Sequence, residues 1–116
     1  VVSANEALLN QMVGTDGRII KGCTIAANGF YAPQGRKLRL PLADEALNHK
    51  IEDFQYGRFK LTNFEMESSA LQGIAALLGH RAVTICCIIA GRQNLNMNTE
   101  YKGNIDDLIE IVLSRF

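Results

Sequence analysis

The chain has 116 residues, of which 47% are hydrophobic and 21% charged, and its formal net charge is zero. This length and composition are those of a single globular domain. The balanced charge argues against a protein that binds nucleic acid or membrane surfaces mainly by electrostatic attraction. The longest apolar run, residues 82–90, is too short to span a bilayer.

The first half of the chain alternates helical and β-rich patterns. In chain order we predict a helix at 4–13, a strand at 19–27, a loop at 28–36, an edge strand at 38–42 and a helix at 43–54. Asn5 or Ser3 would cap the first helix, and Gly14 would end it. The loop contains two glycines and a proline in nine residues, which is typical of an irregular connection.

The second half predicts two longer helices on either side of an apolar strand. In chain order we predict a helix at 63–78, a strand at 82–90, a polar loop at 91–104 and a closing helix at 105–116. The helix at 63–78 places four apolar side chains on one face: Leu71, Ile74, Ala75 and Leu78. We expect this face to contact the core. The strand is apolar on both faces, so it needs neighbouring strands and covering helices.

This order of elements predicts an α/β fold with parallel strands. The sequence contains only two convincing interior strands, and two strands rarely form a stable sheet on their own. We therefore interpret residues 1–116 as a single domain or as half of a larger α/β domain. In the second case the remaining strands come from elsewhere.

The cysteines and the N-terminus indicate a cytoplasmic protein. Cys86 and Cys87 are adjacent, and Cys23 lies far from them in the chain. Their number is odd and they stand in apolar runs, which is typical of buried thiols in a reducing compartment rather than of a metal site. The N-terminus lacks the charged and apolar regions of a signal peptide. We expect neither a metal nor a cofactor.

Polar and aromatic residues follow the predicted strands, at the ends where open α/β sheets bind ligands. Phe30, Gln34 and Arg36 follow the strand at 19–27, Arg92 follows the strand at 82–90, and residues 65–67 precede a helix. An amide can pair with a cyclic imide, and a guanidinium with a carbonyl oxygen. A carboxylate can accept two hydrogen bonds from a vicinal diol. This set suits a nucleoside better than a peptide or a lipid.

Structural roles are open for the same residues. Thr62 and Glu65 have the spacing of a capping box, in which the acid serves the start of a helix. Phe30 and Met66 could cover the core. Two acids separated by one residue point in different directions on a helix, so we expect one to belong to the fold and the other, Glu67, to a ligand.

Three segments together closely resemble the uridine phosphorylase branch of the nucleoside phosphorylase family. They are GFYAPQGR at 29–36, NFEMESSAL at 63–71 and CIIAGR at 87–92. Their order and spacing match the C-terminal half of a family member. The resemblance implies a three-layer α/β/α fold with mostly parallel central strands, here without its N-terminal half. It also implies a homo-oligomer, in this family often a hexamer built from dimers.

The activity implied by the resemblance is phosphorolysis, in which uridine and phosphate give uracil and ribose 1-phosphate. Phosphate is then a co-substrate, and no cofactor is required. By motif, Phe30 would pack on the base, Gln34 would read its amide edge, and Arg36 would hold a carbonyl oxygen and stabilise the departing uracil anion. Two further residues would line the base pocket and a third would support the arginine: Ile89, Ala90 and Arg92.

The resemblance also assigns the ribose side of the site. Glu67 would bind the ribose hydroxyls, with Met66 packed on the sugar and Glu65 at the entrance. The purine branches usually have an acid after the final strand, where this sequence reads Ala90-Gly91-Arg92. This departure favours a pyrimidine over a purine.

One departure from the family affects activity. The family's phosphate site is a glycine loop with arginines in its N-terminal half, and the 116 residues contain no such loop. We therefore expect that the chain alone does not turn over uridine. The alternatives are a purine nucleoside phosphorylase, a nucleosidase that uses Glu65 and Glu67 as an acid/base pair, and a non-catalytic module for nucleoside binding or assembly.

Overall fold

The computed structural model describes residues 1–15, 17–91 and 97–116, which form four helices and three strands. In chain order these are α1 (Glu6–Val13), β1 (Cys23–Ala26), α2 (Leu47–Asp53), β2 (Gln55–Tyr56), β3 (Phe59–Glu65), α3 (Ser68–Leu77) and α4 (Tyr101–Leu113), with a 3₁₀ turn at Ala32–Gln34. The helices and the small mixed sheet agree with the predicted α/β class. No helix in the described ranges is long and apolar enough to cross a membrane.

β3 is the central strand of the sheet, whose order is β1-β3-β2. It runs parallel to β1 and antiparallel to β2. β2 and β3 form a hairpin whose turn contains Gly57 at φ 58°, a left-handed conformation that glycine adopts without steric cost. The parallel pair β1 and β3 is the part of the sheet that positions the candidate site, because the carboxyl ends of both strands lie at one edge.

The predicted helix at 63–78 begins only at Ser68, so the prediction is wrong for residues 63–67. The sequence FKLTNFE continues the hairpin as β3, and its alternating burial follows the period of a strand. The capping role predicted for Thr62 is also wrong. Thr62 lies within β3, and its Oγ1 donates a hydrogen bond to the carbonyl oxygen of Cys23 at 3.1 Å.

The strands predicted at 38–42 and 82–90 do not form. Residues 38–42 contain Pro41, which lacks a backbone donor, and Leu40 in this segment is exposed. In the apolar segment at 82–90, Ala90 forms an isolated antiparallel bridge to Met97. Residues 83–88 line a cavity of about 620 Å³ together with residues of β1, β3, α1 and α4. In the part of the chain that the structure describes, no strand pairs with this segment.

The helices at the two ends of the chain agree better with the sequence. The side chain of Asn5 accepts a hydrogen bond from the amide of Leu8 at 3.1 Å, and Gly14 ends α1 with φ 56°. Both signals were predicted, and the capping hydrogen bond satisfies a donor that the first helical turn leaves free. The closing helix, α4, begins at Tyr101, four residues before its predicted start at 105.

Little of the apolar side-chain surface is buried. Among the described residues, the buried hydrophobic side chains are Met12 and Ala27. The predicted core face of α3 is exposed instead: Leu71 and Ile74 are each 57% exposed, and Leu78 is 67% exposed. The accessible surface is 8871 Å², whereas a compact monomer of this mass has about 6,300 Å². The chain therefore exposes more surface than a compact monomer of its mass, and large apolar side chains are part of that surface.

Candidate functional site

The parallel pairing of β1 and β3 brings the loop at 28–36 close to residues 65–67. Ala26 lies opposite Glu65, and the amide of Ala27 donates a hydrogen bond to the carbonyl oxygen of Glu65 at 2.9 Å. The loop leaves β1 at this point, and Met66 and Glu67 leave β3 beside it. The structure therefore brings two of the three predicted clusters to one edge of the sheet.

The loop is a compact turn held by its own backbone. The amides of Gln34 and Arg36 both donate to the carbonyl oxygen of Tyr31 at 3.0 Å, and the amide of Gly35 donates to Ala32 at 2.8 Å. Gly35 has φ 73°, a left-handed conformation that strongly favours glycine. The turn fixes the backbone on both sides of Gly35, and it therefore sets the orientation of the Gln34 side chain relative to that of Arg36.

Arg36, Gln34 and Phe30 form one cluster. Nη1 of Arg36 donates to Oε1 of Gln34 at 2.5 Å and to the carbonyl oxygen of Phe30. The guanidinium carbon of Arg36 lies 3.9 Å from the centroid of the Phe30 ring, in cation–π geometry. Gln34 is only 4% exposed, whereas Phe30 is 52% exposed. The cluster therefore combines a buried amide, a fixed cation and an exposed aromatic ring.

Glu65 serves the start of α3. Its Oε2 accepts hydrogen bonds from the amides of Glu67 at 2.7 Å and Ser68 at 2.6 Å, and its Oε1 accepts one from Oγ of Ser68. Partial burial raises the pKa of Glu65, but the hydrogen bonds from Ser68 and the neighbouring amides outweigh it and lower the pKa below its ordinary value. The carboxylate is therefore held ionised at the positive end of the helix.

Glu65→Gln is expected to lower the stability of the chain by about 1 kcal/mol at neutral pH, the usual cost of a lost helix cap. The folded pKa of Glu65 lies below the ordinary value of 4.5. Ionised Glu65 therefore stabilises the fold above that value, and the contribution is lost as the pH falls through the folded pKa. The free energy of unfolding, measured with urea from neutral to acidic pH, should fall less steeply toward acidic pH in the variant than in the unmodified chain. Glu67→Gln makes the same change of charge and should keep the acid-dependent loss of stability of the unmodified chain. If the two variants lose it equally, the capping role of Glu65 is contradicted.

Met66 and Glu67 have exposed side chains beside this cap. Met66 is 43% exposed. Glu67 occupies the N-cap position of α3, and its side chain makes no capping hydrogen bond. Glu65 belongs to the fold as predicted, but it caps a helix that begins at Ser68 rather than one that begins near residue 63. The side chain of Glu67 is exposed, and the chain at this residue leaves the same edge of the sheet as the Phe30 loop.

The structure connects the remaining predicted residues to another segment. The amide of Asn98 donates to the carbonyl oxygen of Ile89 at 2.9 Å, and Ala90 forms its bridge with Met97. Both Ile89 and Ala90 are exposed. Arg92, the predicted support of Arg36, lies outside the described residues.

Neither the cysteines nor a cluster of ligands forms a metal centre in the described ranges. No group of three or more His, Cys, Asp or Glu residues there is placed to hold a metal ion. The three cysteines are free and half-buried. Burial raises the pKa of the Cys86 thiol, and a hydrogen bond with Asn63 offsets this only in part. A protonated thiol is a poor nucleophile, so Cys86 has the properties of a structural residue.

Sequence reasoning missed two polar residues that support the site. Ser68 is 7% exposed and donates to Glu65, and the Glu65-x-x-Ser68 spacing was a local signal for this contact. Asn48, in α2, donates from Nδ2 to the carbonyl oxygen of Gly35 at 3.0 Å. Asn48 lies 13 residues from Gly35 in the chain, so no local pattern indicated this contact.

Comparison with known proteins shows that the chain is similar in sequence to two proteins that carry the name uridine phosphorylase. The chain is 31% identical over 87 residues to uridine phosphorylase A of Schistosoma mansoni, covering 72% of this chain and 28% of the relative. It is 32% identical over 71 residues to the uridine phosphorylase of Thermococcus kodakarensis, covering 61% and 25%. No protein-family model matches the chain, and no solved structure matches it significantly.

The extent of these similarities limits what they show. The chain spans about a quarter of the length of the curated relatives it matches. The similarities nevertheless agree in name and cover most of this chain. They support a distant relationship between this chain and the nucleoside phosphorylase family.

Proposed function

We propose that the chain recognises the base and the ribose of uridine in phosphorolysis, the reaction with phosphate that gives uracil and ribose 1-phosphate. One observation carries the proposal: β1 and β3 run parallel, so the Phe30 loop and residues 66–67 leave the sheet at the same edge. The names of the two relatives, both uridine phosphorylases, support the same reaction.

The Phe30 loop supplies what a pyrimidine base requires. The Gln34 amide has two N–H donors, and its oxygen has a second lone pair besides the one bonded to Arg36; together these match the imide edge of uracil. Arg36 directs a fixed cation at the place where a carbonyl oxygen of uracil gains negative charge as the glycosidic bond breaks. One such preorganised donor typically contributes about 2.7–4 kcal/mol to lowering a barrier. Phe30 is 52% exposed although the Arg36 guanidinium lies over its ring, and the base stacks on the exposed part of the ring.

Glu67 supplies the contact to the ribose. Its carboxylate is exposed at the N-terminus of α3, where it accepts two hydrogen bonds from the vicinal hydroxyls of the sugar. Met66, beside it, packs on the sugar ring. The Glu65 cap fixes the turn that carries both residues, because it binds the amides of Glu67 and Ser68.

The state of Glu65 weighs against the hydrolytic alternative. A nucleosidase that used Glu65 and Glu67 as an acid/base pair would need one carboxyl group that keeps a proton near neutral pH. The pKa of Glu65 is lowered, and its oxygens already accept three hydrogen bonds from Glu67 and Ser68. Glu65 is therefore a poor general acid, and Glu67 by itself cannot supply both the acid and the base that a nucleosidase needs.

The exposed apolar surface supports a further part of the proposal. The chain is the C-terminal part of a three-layer α/β/α phosphorylase domain, and its apolar faces are covered by the rest of that domain and by other subunits. The assembly is a homo-oligomer built from dimers, a hexamer by family resemblance. The enzyme acts in the cytoplasm, with phosphate as co-substrate and without a cofactor.

Gln34→Ala is expected to weaken uridine binding by about 10-fold, since the base loses a paired hydrogen-bonding partner in a largely buried position. Titration of the ¹⁵N-labelled chain with uridine, followed through the amide resonances of residues 28–36 and 65–68, measures the affinity. Gln34→Glu keeps an acceptor for Arg36 but replaces the donor with a charged oxygen, so it should also bind weakly while retaining the fold.

Gln55→Ala is the matched control, because Gln55 is an exposed glutamine in β2. It should bind uridine as the unmodified chain does. Inosine should bind more weakly than uridine, as the absence of an acid after residue 90 implies. If uridine shifts no amide resonance of residues 28–36 or 65–68 in the unmodified chain, the proposed function is overturned. If inosine binds as tightly as uridine, the purine alternative is favoured.

A further inference from the structure

We propose that Asn48 is a positioning residue of the nucleoside site, which fixes the Gly35 turn from α2 and thereby sets the geometry of Gln34 and Arg36. The inference rests on the proposed function and adds to it a residue outside the three family-like segments. Asn48 is in the first turn of α2, whereas the residues that face the base are in the Phe30 loop.

The contact between Asn48 and Gly35 has two parts. Nδ2 of Asn48 donates to the carbonyl oxygen of Gly35 at 3.0 Å. Oδ1 of Asn48 lies so close to the α-carbon of Gly35 that a Cβ atom there would be 2.1 Å from it. Gly35 is thus required twice, by its φ of 73° and by the close approach of the Asn48 amide.

The position of Asn48 is itself fixed by the turn before α2. Oδ1 of Asp44 accepts a hydrogen bond from the amide of Ala46 at 3.0 Å, and Oδ2 of Asp44 accepts one from Nζ of Lys50 at 2.6 Å. The backbone amide of Leu47 donates to the carbonyl oxygen of Asp44 at 3.1 Å. The first turn of α2 therefore presents Asn48 from a defined place rather than from a freely moving loop.

Gly35 is the single residue between Gln34 and Arg36, so its peptide orientation sets the relation of the two side chains. In the structure that relation allows Nη1 of Arg36 to donate to Oε1 of Gln34 at 2.5 Å. Loss of the Asn48 contact removes one restraint from the Gly35–Arg36 peptide, whose amide still donates to the carbonyl oxygen of Tyr31, and glycine has more accessible conformations than any other residue. Asn48 acts through Gln34 and Arg36 and does not touch the base.

The test compares Asn48→Ala and Asn48→Asp with His49→Ala. Asn48→Asp keeps the size and one oxygen of the side chain but loses the donor, and His49 is the solvent-facing neighbour, with 85% of its side chain exposed. Amide hydrogen exchange of Gly35 and Arg36 should accelerate about 3- to 10-fold in both Asn48 variants, as expected for one lost hydrogen bond. The affinity for uridine should fall by a similar factor, and His49→Ala should change neither.

A double-variant comparison checks the close approach without any ligand. Gly35→Ala should lower the melting temperature, and the same substitution should lower it less in an Asn48→Ala background, because the clash with the amide is gone. Unchanged exchange at Gly35 in the Asn48 variants, or accelerated exchange with unchanged uridine affinity, would overturn the proposal. If the unmodified chain does not bind uridine, the proposed function fails, and the inference that Asn48 sets the site for a nucleoside fails with it. The exchange of the Gly35 and Arg36 amides then shows separately whether Asn48 holds the turn.

Discussion

Replacing Arg36 with alanine is expected to weaken uridine binding by about 10- to 100-fold, because a hydrogen bond to a charged group typically contributes about 1.5–3 kcal/mol. The substitution also removes the guanidinium from the Phe30 ring and leaves Oε1 of the buried Gln34 without the donor that it has in the structure. The loss should therefore exceed that of Gln34→Ala. Titration of the labelled chain with uridine and with uracil measures it, and both ligands should be affected equally because the contact is to the base.

Arg36→Lys and Arg39→Ala separate the reasons for this loss. Lysine keeps the charge but lacks the planar fork that both stacks on a ring and donates to two acceptors, so Arg36→Lys should recover only part of the affinity. Arg39 is an exposed arginine three residues after Arg36, and Arg39→Ala makes the same change in net charge. Its affinity for uridine should be that of the unmodified chain. If Arg39→Ala weakens binding as much as Arg36→Ala, the effect is general electrostatics and the assignment of Arg36 to the base is wrong.

Local signals in the sequence were sufficient for α1 and for the Phe30 loop. The capping asparagine and the terminal glycine of α1 act on the backbone within one turn, so their positions could be read directly. The glycines and the proline of the loop likewise predicted an irregular connection, and the structure forms a compact turn there. The candidate site residues of this loop could be proposed because their chemistry is unusual for a connection.

The hairpin was missed because two patterns compete in the same residues. Thr62 and Glu65 have the spacing of a capping box, and Ser68 onwards is a strong helical sequence, which favoured a helix from residue 63. The alternation from Phe59 onwards favours a strand, and the turn at Gly57 allows that strand to pair with β2 and β1. Pairing partners are set by tertiary structure, so a local reading of β3 could not decide between the two.

The failed predictions at 82–90 and on α3 have one physical origin. Both assumed that apolar side chains are buried within the chain, and the periodicity of the sequence does indicate that they need an apolar neighbour. It does not indicate that the neighbour belongs to the same 116 residues. Residues 83–88 border a cavity, and Leu71, Ile74 and Leu78 are exposed. The pattern therefore identifies which faces are apolar, but it does not identify what covers them.

The 116-residue chain alone is expected not to release uracil from uridine and phosphate. The candidate site offers groups for the base and for the ribose, but the sequence contains no glycine loop with arginines for the phosphate, and the apolar surface of the chain is largely uncovered. Without a bound and oriented phosphate, the advantage of holding both reactants in place is lost, and this advantage amounts to about 7–11 kcal/mol of the barrier in well-oriented reactions. Binding of uridine without turnover is therefore the expected combination.

The measurement is uracil release followed by absorbance, with and without phosphate, on a sample that binds uridine in the titration described above. Uridine phosphorylase A of Schistosoma mansoni, in the same assay, serves as the positive control for the detection of phosphorolysis. A contaminating phosphorylase would give equal rates with the unmodified chain and with Arg36→Ala, because it does not depend on this site. Phosphate-dependent release that rises with protein concentration and disappears in Arg36→Ala would contradict the prediction, since the chain would then contain a phosphate site of its own.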